Sequence, residues 1–91
     1  MANSKQQRKR VRIAERQRLE NRRYRTQIKT LFRRLREATD AGESEADGAY
    51  RRLVAIVDRA AARKAIHRNT AARKKRQAAL IRDRERERSA A

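Results

Sequence analysis

The chain contains no cysteine and no proline, only two glycines, and three aromatic residues, none of them tryptophan. Without cysteine neither a disulfide nor a thiolate metal site can form, which fits a reducing compartment. Histidine occurs once, at His67. No second histidine or suitably spaced carboxylate joins it, so no metal site is expected. No apolar run approaches the roughly 18 residues of a membrane span. The N-terminal stretch "MANSKQQRKRVR" is basic but lacks the apolar segment of a secretory signal. These absences predict a soluble intracellular protein without a cofactor. Catalysis finds no footing either. Ser4, Ser44 and Ser89 fall in tails or at a helix start, and the acids read as helix partners of arginine. No acid–base or nucleophilic pair emerges, and an enzyme is not expected.

Large apolar side chains are scarce as well: sixteen, from Val11 to Ile81, in 91 residues. A chain of this length buries a modest fraction of its surface. An isolated fold is therefore marginal, and a partner supplies part of its stability.

What the chain has in excess is positive charge. Lys plus Arg is 28 and Asp plus Glu is 11, a formal net charge of +17. Self-repulsion of that size opposes any compact state, and a polyanion removes it. Nucleic acid is the first candidate partner and an anionic membrane the second. Arginine outnumbers lysine, 22 to 6. A planar guanidinium suits phosphate and stacks on bases, although GC-rich coding produces the same bias.

Long stretches rich in Ala, Arg, Glu, Gln and Leu, without breakers, read as helix. No alternating pattern is long enough for a strand, so the expected fold is all-α: an antiparallel three-helix bundle with a long, extended basic first helix, in a single domain spanning 1–91. Helix one is expected over about 4–41, with 1–23 as a basic arm. Its second half carries Tyr24, Ile28, Leu31, Phe32, Leu35 and Ala38 at helical spacing. Its first half has no single apolar face and is expected to project, in a helix about 55 Å long overall. "DAGESEAD" is the turn, with Gly42 as its left-handed residue and Ser44 to Asp47 as a capping-box-like start. Helix two, over 44–62, places Ala46, Tyr50, Leu53, Val57 and Ala60 on one face. Helix three is expected over 66–85 with a thin face of Ile66, Ala71, Ala78 and Ile81, and 86–91 as a frayed tail.

Charge is uneven along this plan. Residues 1–40 carry 14 basic and 4 acidic side chains, residues 41–62 carry 3 and 4, and residues 63–91 carry 11 and 3. Helices one and three are thus the binding faces, and helix two is the packing element.

The arm residues Lys5, Arg8, Lys9, Arg10, Arg12, Arg16, Arg18, Arg22, Arg23 and Arg25 surround their helix with charge. That suits a partner that encloses the helix better than a flat membrane. The plain alternative is a solvated basic tail, disordered until something binds it. In "IHRNTAARKKR", His67, Asn69 and Thr70 fall in the first turn if His67 opens helix three. Free backbone N–H groups there attract phosphate, and small Ala71 and Ala72 let a backbone come close. Arg73 and Arg76 lie one and two turns beyond Asn69. The alternative is that His67 caps or packs while Arg73, Lys74, Lys75 and Arg76 are solvated. Two further readings stand beside RNA. A basic amphipathic helix can bind anionic membrane, though tryptophan is absent and the two apolar stripes suit each other. A nucleoid-associated DNA binder is the other, though the turn that would carry a wedge is acidic.

Several stretches resemble one family. "MANSKQQRKRVRIAERQRLENRRYRTQIKTL", the acidic turn, and "IVDRAAARKAIHRNTAARKK" are similar to the bacterial small-subunit ribosomal protein S20 family. The order of "IVDRAA" and "IHRNTAARKK" is the specific part, and "RIAERQRLENRRYRT" looks most like the cyanobacterial and plastid branch. The resemblance implies a three-helix bundle that binds small-subunit ribosomal RNA directly during assembly, its long first helix threaded among RNA helices, in the cytoplasmic or a plastid ribosome. It implies no small-molecule substrate, membrane or obligate homo-oligomer. It places Ile66, His67, Asn69, Ala71, Ala72, Arg73 and Lys74 on the family's helix-three motif, with His67, Asn69, Arg73 and Lys74 facing RNA. Lys29, Lys64, Arg68, Lys75 and Arg76 join them and the arm as expected RNA contacts. Lys64 stands where the family usually has glycine. The turn before helix three therefore loses its easy left-handed residue and gains a cation.

Overall fold

A computed structural model describes residues 3–90, with the side chains of 4–84 and 87. Positions 1, 2 and 91, at the ends of the predicted arm and tail, lie outside the described residues. The described chain forms three helices and no strand: α1 Asn3–Ala41, α2 Glu43–Ala62 and α3 Arg68–Ala90. α1 is 39 residues long, about 58 Å at ~1.5 Å per residue. The molecule measures 71 × 21 × 12 Å, so α1 accounts for most of its length.

The core sits where the three helices overlap. Ile28, Phe32 and Leu35 of α1 meet Leu53, Val57 and Ala60 of α2 and the alanines Ala65, Ala71 and Ala78. Leu35, Leu53 and Val57 are the largest fully buried side chains. Each stabilises the bundle by roughly 1.5–3 kcal/mol relative to exposure. α3 presents mainly alanine to this core, so its backbone approaches closely and gains little from apolar area. Arg82 compensates: its guanidinium lies 4.0 Å over the Tyr50 ring, tying α3 to α2.

The first connection is a single residue. Gly42 donates its N–H to the Ala38 carbonyl, ending α1, while its own carbonyl accepts from the Ala46 N–H, starting α2. Its φ of 128° and ψ of 171° belong to a region open essentially to glycine. Gly42 is thus the positive-φ residue, but the capping-box expectation is corrected. The N-cap is Gly42, without a side-chain cap bond, and Ser44 lies inside the first turn. With one residue between the helices, no room remains for a separate cap.

The second connection corrects two expectations. α3 begins at Arg68, not at 66, and it continues as helix to Ala90 through the stretch expected to fray. α2 ends in a six-residue closure: the Lys64 N–H donates to Ala61 O at 3.0 Å and the Ala65 N–H to Ala60 O at 2.8 Å. These are the two bonds of a Schellman motif, whose pivot needs left-handed backbone. Lys64 supplies it at φ 61°. The easy left-handed residue is absent, as expected, but the geometry is kept: lysine adopts it, and the buried Ala60–Ala65 pair holds it there.

Candidate nucleic-acid interface

Residues 4–19 of α1 are all exposed. Val11, Ile13 and Leu19 remain more than half exposed; Leu19 lies at the edge of α2, beside Ile56 and Arg59. Lys5, Arg8, Lys9, Arg10, Arg12, Arg16 and Arg18 therefore ring a bare helix. Several stand one turn apart, Lys5 with Lys9, Arg8 with Arg12, and Arg12 with Arg16. Each like-charge pair opposes helix by a few tenths of a kcal/mol. Where the arm leaves the bundle, Glu20 pairs with Arg63 at 3.8 Å, an exposed contact between α1 and the turn that joins α2 to α3. Arg22, Arg23 and Arg25 are exposed just beyond.

The start of α3 is built around His67. Its carbonyl accepts the first helical bond, from the Ala71 N–H at 2.9 Å, and its Nδ1 accepts from the Asn69 N–H at 3.1 Å. His67 is therefore the N-cap of α3, the residue before the helix rather than its first residue. A nitrogen that accepts carries no proton, so the ring proton resides on Nε2. The exposed ring thus offers one N–H donor outward. Capping and contact with a partner, opposed in the sequence, use different atoms of one side chain.

A groove of about 460 Å³ runs between α1 and α3. Ile28, Phe32 and Ile66 form its floor, and Arg25, Lys29, Arg36 and Lys74 stand around it. Arg36 Cζ and Lys74 Nζ each lie 6.0 Å from the Phe32 ring centroid. Cations from two helices thus converge over one aromatic ring, with no carboxylate lining the groove. Arg36 was absent from the expected set. Its signal lay in the spacing, since Lys29, Phe32 and Arg36 fall on one helix side.

The basic run of α3 divides by helical geometry. Arg73 and Arg76 are exposed, one and two turns beyond exposed Asn69. Lys74 leans over Phe32. Lys75 turns to α2 and pairs with Asp58 at 2.9 Å, which neutralises part of its charge. Arg68 and Lys64 are exposed at the turn. Arg59 was missed too; it stands beside the arm root from α2, where the low net charge of that helix concealed it. Among the described residues no group of three or more His, Cys, Asp or Glu could hold a metal ion, and no helix is long and apolar enough to cross a membrane.

The model of the family "Ribosomal protein S20" matches residues 2–81. The chain is 43% identical to the small ribosomal subunit protein bS20 of Dechloromonas aromatica over 76 residues, covering 82% of this chain and 85% of the relative. It is 46% identical to the protein of that name from Mycobacterium sp. over 78 residues, covering 82% and 88%. Against the Roseiflexus sp. protein of that name it is 40% identical over 75 residues, covering 82% of each. The extent of this similarity, over a bundle with two basic helices, has one assignment: the chain belongs to the ribosomal protein S20 family, a structural family rather than an enzymatic one.

Proposed function

We propose that this chain binds small-subunit ribosomal RNA directly, as a structural component of that subunit, and stabilises the RNA fold during assembly. The observation that carries the reading is the α1/α3 groove, where Arg25, Lys29, Arg36 and Lys74 converge at the foot of an arm charged on every side. Arginine and lysine from separate helices follow a phosphate backbone, and the arm offers charge to RNA on more than one flank. His67 Nε2–H, Asn69, Arg73 and Arg76 extend the surface along α3. The names of the relatives place those proteins in the small subunit, which supports the same partner here. The relatives come from diverse bacteria, so a place in the cyanobacterial or plastid branch rests on "RIAERQRLENRRYRT" alone.

Charge of this density makes affinity steeply salt-dependent. For about 8 neutralised phosphates, roughly 10³–10⁵ of affinity is lost between about 50 and 200 mM salt. The test is a filter-binding titration on small-subunit ribosomal RNA, with equal masses of large-subunit RNA, duplex DNA and anionic liposomes as competitors. Preference for small-subunit RNA at physiological salt is expected. Equal competition by all of them would reduce the protein to unspecific charge and reopen the DNA and membrane readings.

A further inference from the structure

The chain has three aromatic rings, and two are already covered by cations. Arg82 sits over Tyr50, and Arg36 and Lys74 over Phe32. Among the described residues, Tyr24 is the ring with no cation over it. It packs against the core on one side yet remains half-buried. Its open side lines a groove of about 450 Å³ between α1 and α2 at the root of the arm, a size typical of small-ligand clefts. Arg16, Arg23 and Arg59 stand around this groove, and Gln27 and Ile56 complete its walls. Glu20 borders it as well but is engaged by Arg63. Leu19, on the rim, is 59% exposed, the most exposed large apolar side chain among the described residues.

These parts differ from those of the α1/α3 groove. There the ring is closed by cations, and the surroundings suit a phosphate backbone. Here a free aromatic face lies among three guanidiniums, beside an amide that both donates and accepts. A nucleotide has the matching parts: a base face to stack, a base edge to hydrogen-bond, and phosphates on either side. RNA exposes base faces only where the strand is unpaired, and proteins read such bases by stacking. We infer that this groove takes an unpaired RNA nucleotide. Its base stacks on Tyr24, its edge meets the Gln27 amide, and its flanking phosphates are held by Arg16, Arg23 and Arg59. The site rests on the RNA-binding reading above and adds to it a point of base recognition, on the opposite flank of α1 from the α1/α3 groove.

Tyrosine fluorescence tests this without touching the groove. Tyr50→Phe keeps the ring under Arg82 and leaves Tyr24 as the single tyrosine. The full chain carrying it is titrated with a short end-labelled oligoadenylate and with an abasic strand of equal length and charge, and binding of each is followed by anisotropy of the label. Quenching of Tyr24 emission by the oligoadenylate, but not by the bound abasic strand, is expected. A second variant, Tyr24→Leu, should weaken oligoadenylate binding by about fivefold or more with abasic binding unchanged, while Tyr24→Phe should retain it. Circular dichroism of both variants checks the fold. Equal quenching by both strands would show a groove that takes phosphate only. No quenching by either would leave it to a protein segment. Each overturns the inference. The small-subunit RNA competition, run on the same Tyr50→Phe protein, shows separately whether the RNA-binding reading stands.

Discussion

Replacing Lys64 with glycine isolates one backbone contribution. Lys64 holds φ at 61°, where an L residue with a Cβ is disfavoured by roughly 1–2 kcal/mol. Glycine removes that penalty but adds unfolded-state freedom, an offset of about 0.5–1 kcal/mol. The net expectation is about 0.5–1 kcal/mol of added stability. For a domain of this size that corresponds to a rise in Tm of about 2–8 °C. Both bonds of the closure, Lys64 N–H to Ala61 O and Ala65 N–H to Ala60 O, are backbone bonds and survive the change. The substitution also removes a positive charge beside Arg63 and Arg68, which relieves repulsion on its own account. Lys64→Ala controls for this, since it loses the charge and keeps the Cβ. The assay is thermal unfolding followed by circular dichroism at low and moderate salt. The glycine variant should melt above the alanine variant at both. Coincident melting of the two, or a lower Tm for glycine, would refute the argument that left-handed backbone strains this turn.

Three further outcomes follow from the same geometry. Gly42→Ala should destabilise by about 1–3 kcal/mol, read by the same melts. No atom lies within 4 Å of the added Cβ, so the loss is purely conformational, and an unchanged Tm would contradict it. His67→Ala should lose the α3 cap, roughly 0.5–2 kcal/mol, whereas His67→Asn should keep it. Both should lose the Nε2 donor, so RNA titrations of the asparagine variant isolate the contact from the cap. Deleting residues 1–18 removes seven basic side chains and no core residue. Bundle helicity per remaining residue should persist, while the logarithmic salt slope of RNA binding falls by up to about 5; collapse of the bundle would show that the arm carries structural weight.

The core and helix order were legible because apolar spacing records burial directly. Tyr24 to Leu35 and Ala46 to Ala60 alternate at helical period, and the buried positions follow them. Local backbone geometry was less visible. Lysine itself does not announce a left-handed conformation, and only its place at the resembled family's usual glycine marked the position; the two closure bonds and the Ala60–Ala65 pair impose the geometry from outside. The favoured reading placed His67 one position too far inside α3, since histidine is not among the preferred N-caps; capping stood as the alternative, and the Nδ1 contact decides for it. The candidate interface was read as a run of charge along the chain. In space, Lys75 leaves that run for Asp58, while Arg36 joins it from α1. Spacing could have found Arg36. It could not have found the ion pair, which depends on how α2 and α3 lie against each other.

The one-residue connection at Gly42 has a consequence for how this chain can vary in length. Surface loops ordinarily absorb insertions, because slack in the backbone hides them. Here the same residue closes one helix and opens the next, so there is no slack to use. One added residue would advance α2 by about 1.5 Å and turn it by about 100°. Leu53 and Val57 would swing off the surface formed by Ile28, Phe32 and Leu35, and every later contact of α3 would shift with them. The joint acts as an indexing pin, setting the rotational phase of α2 against α1. Residues can be gained or lost at the arm or beyond the last turns of α3 without disturbing that phase, whereas the middle of the molecule is fixed in length.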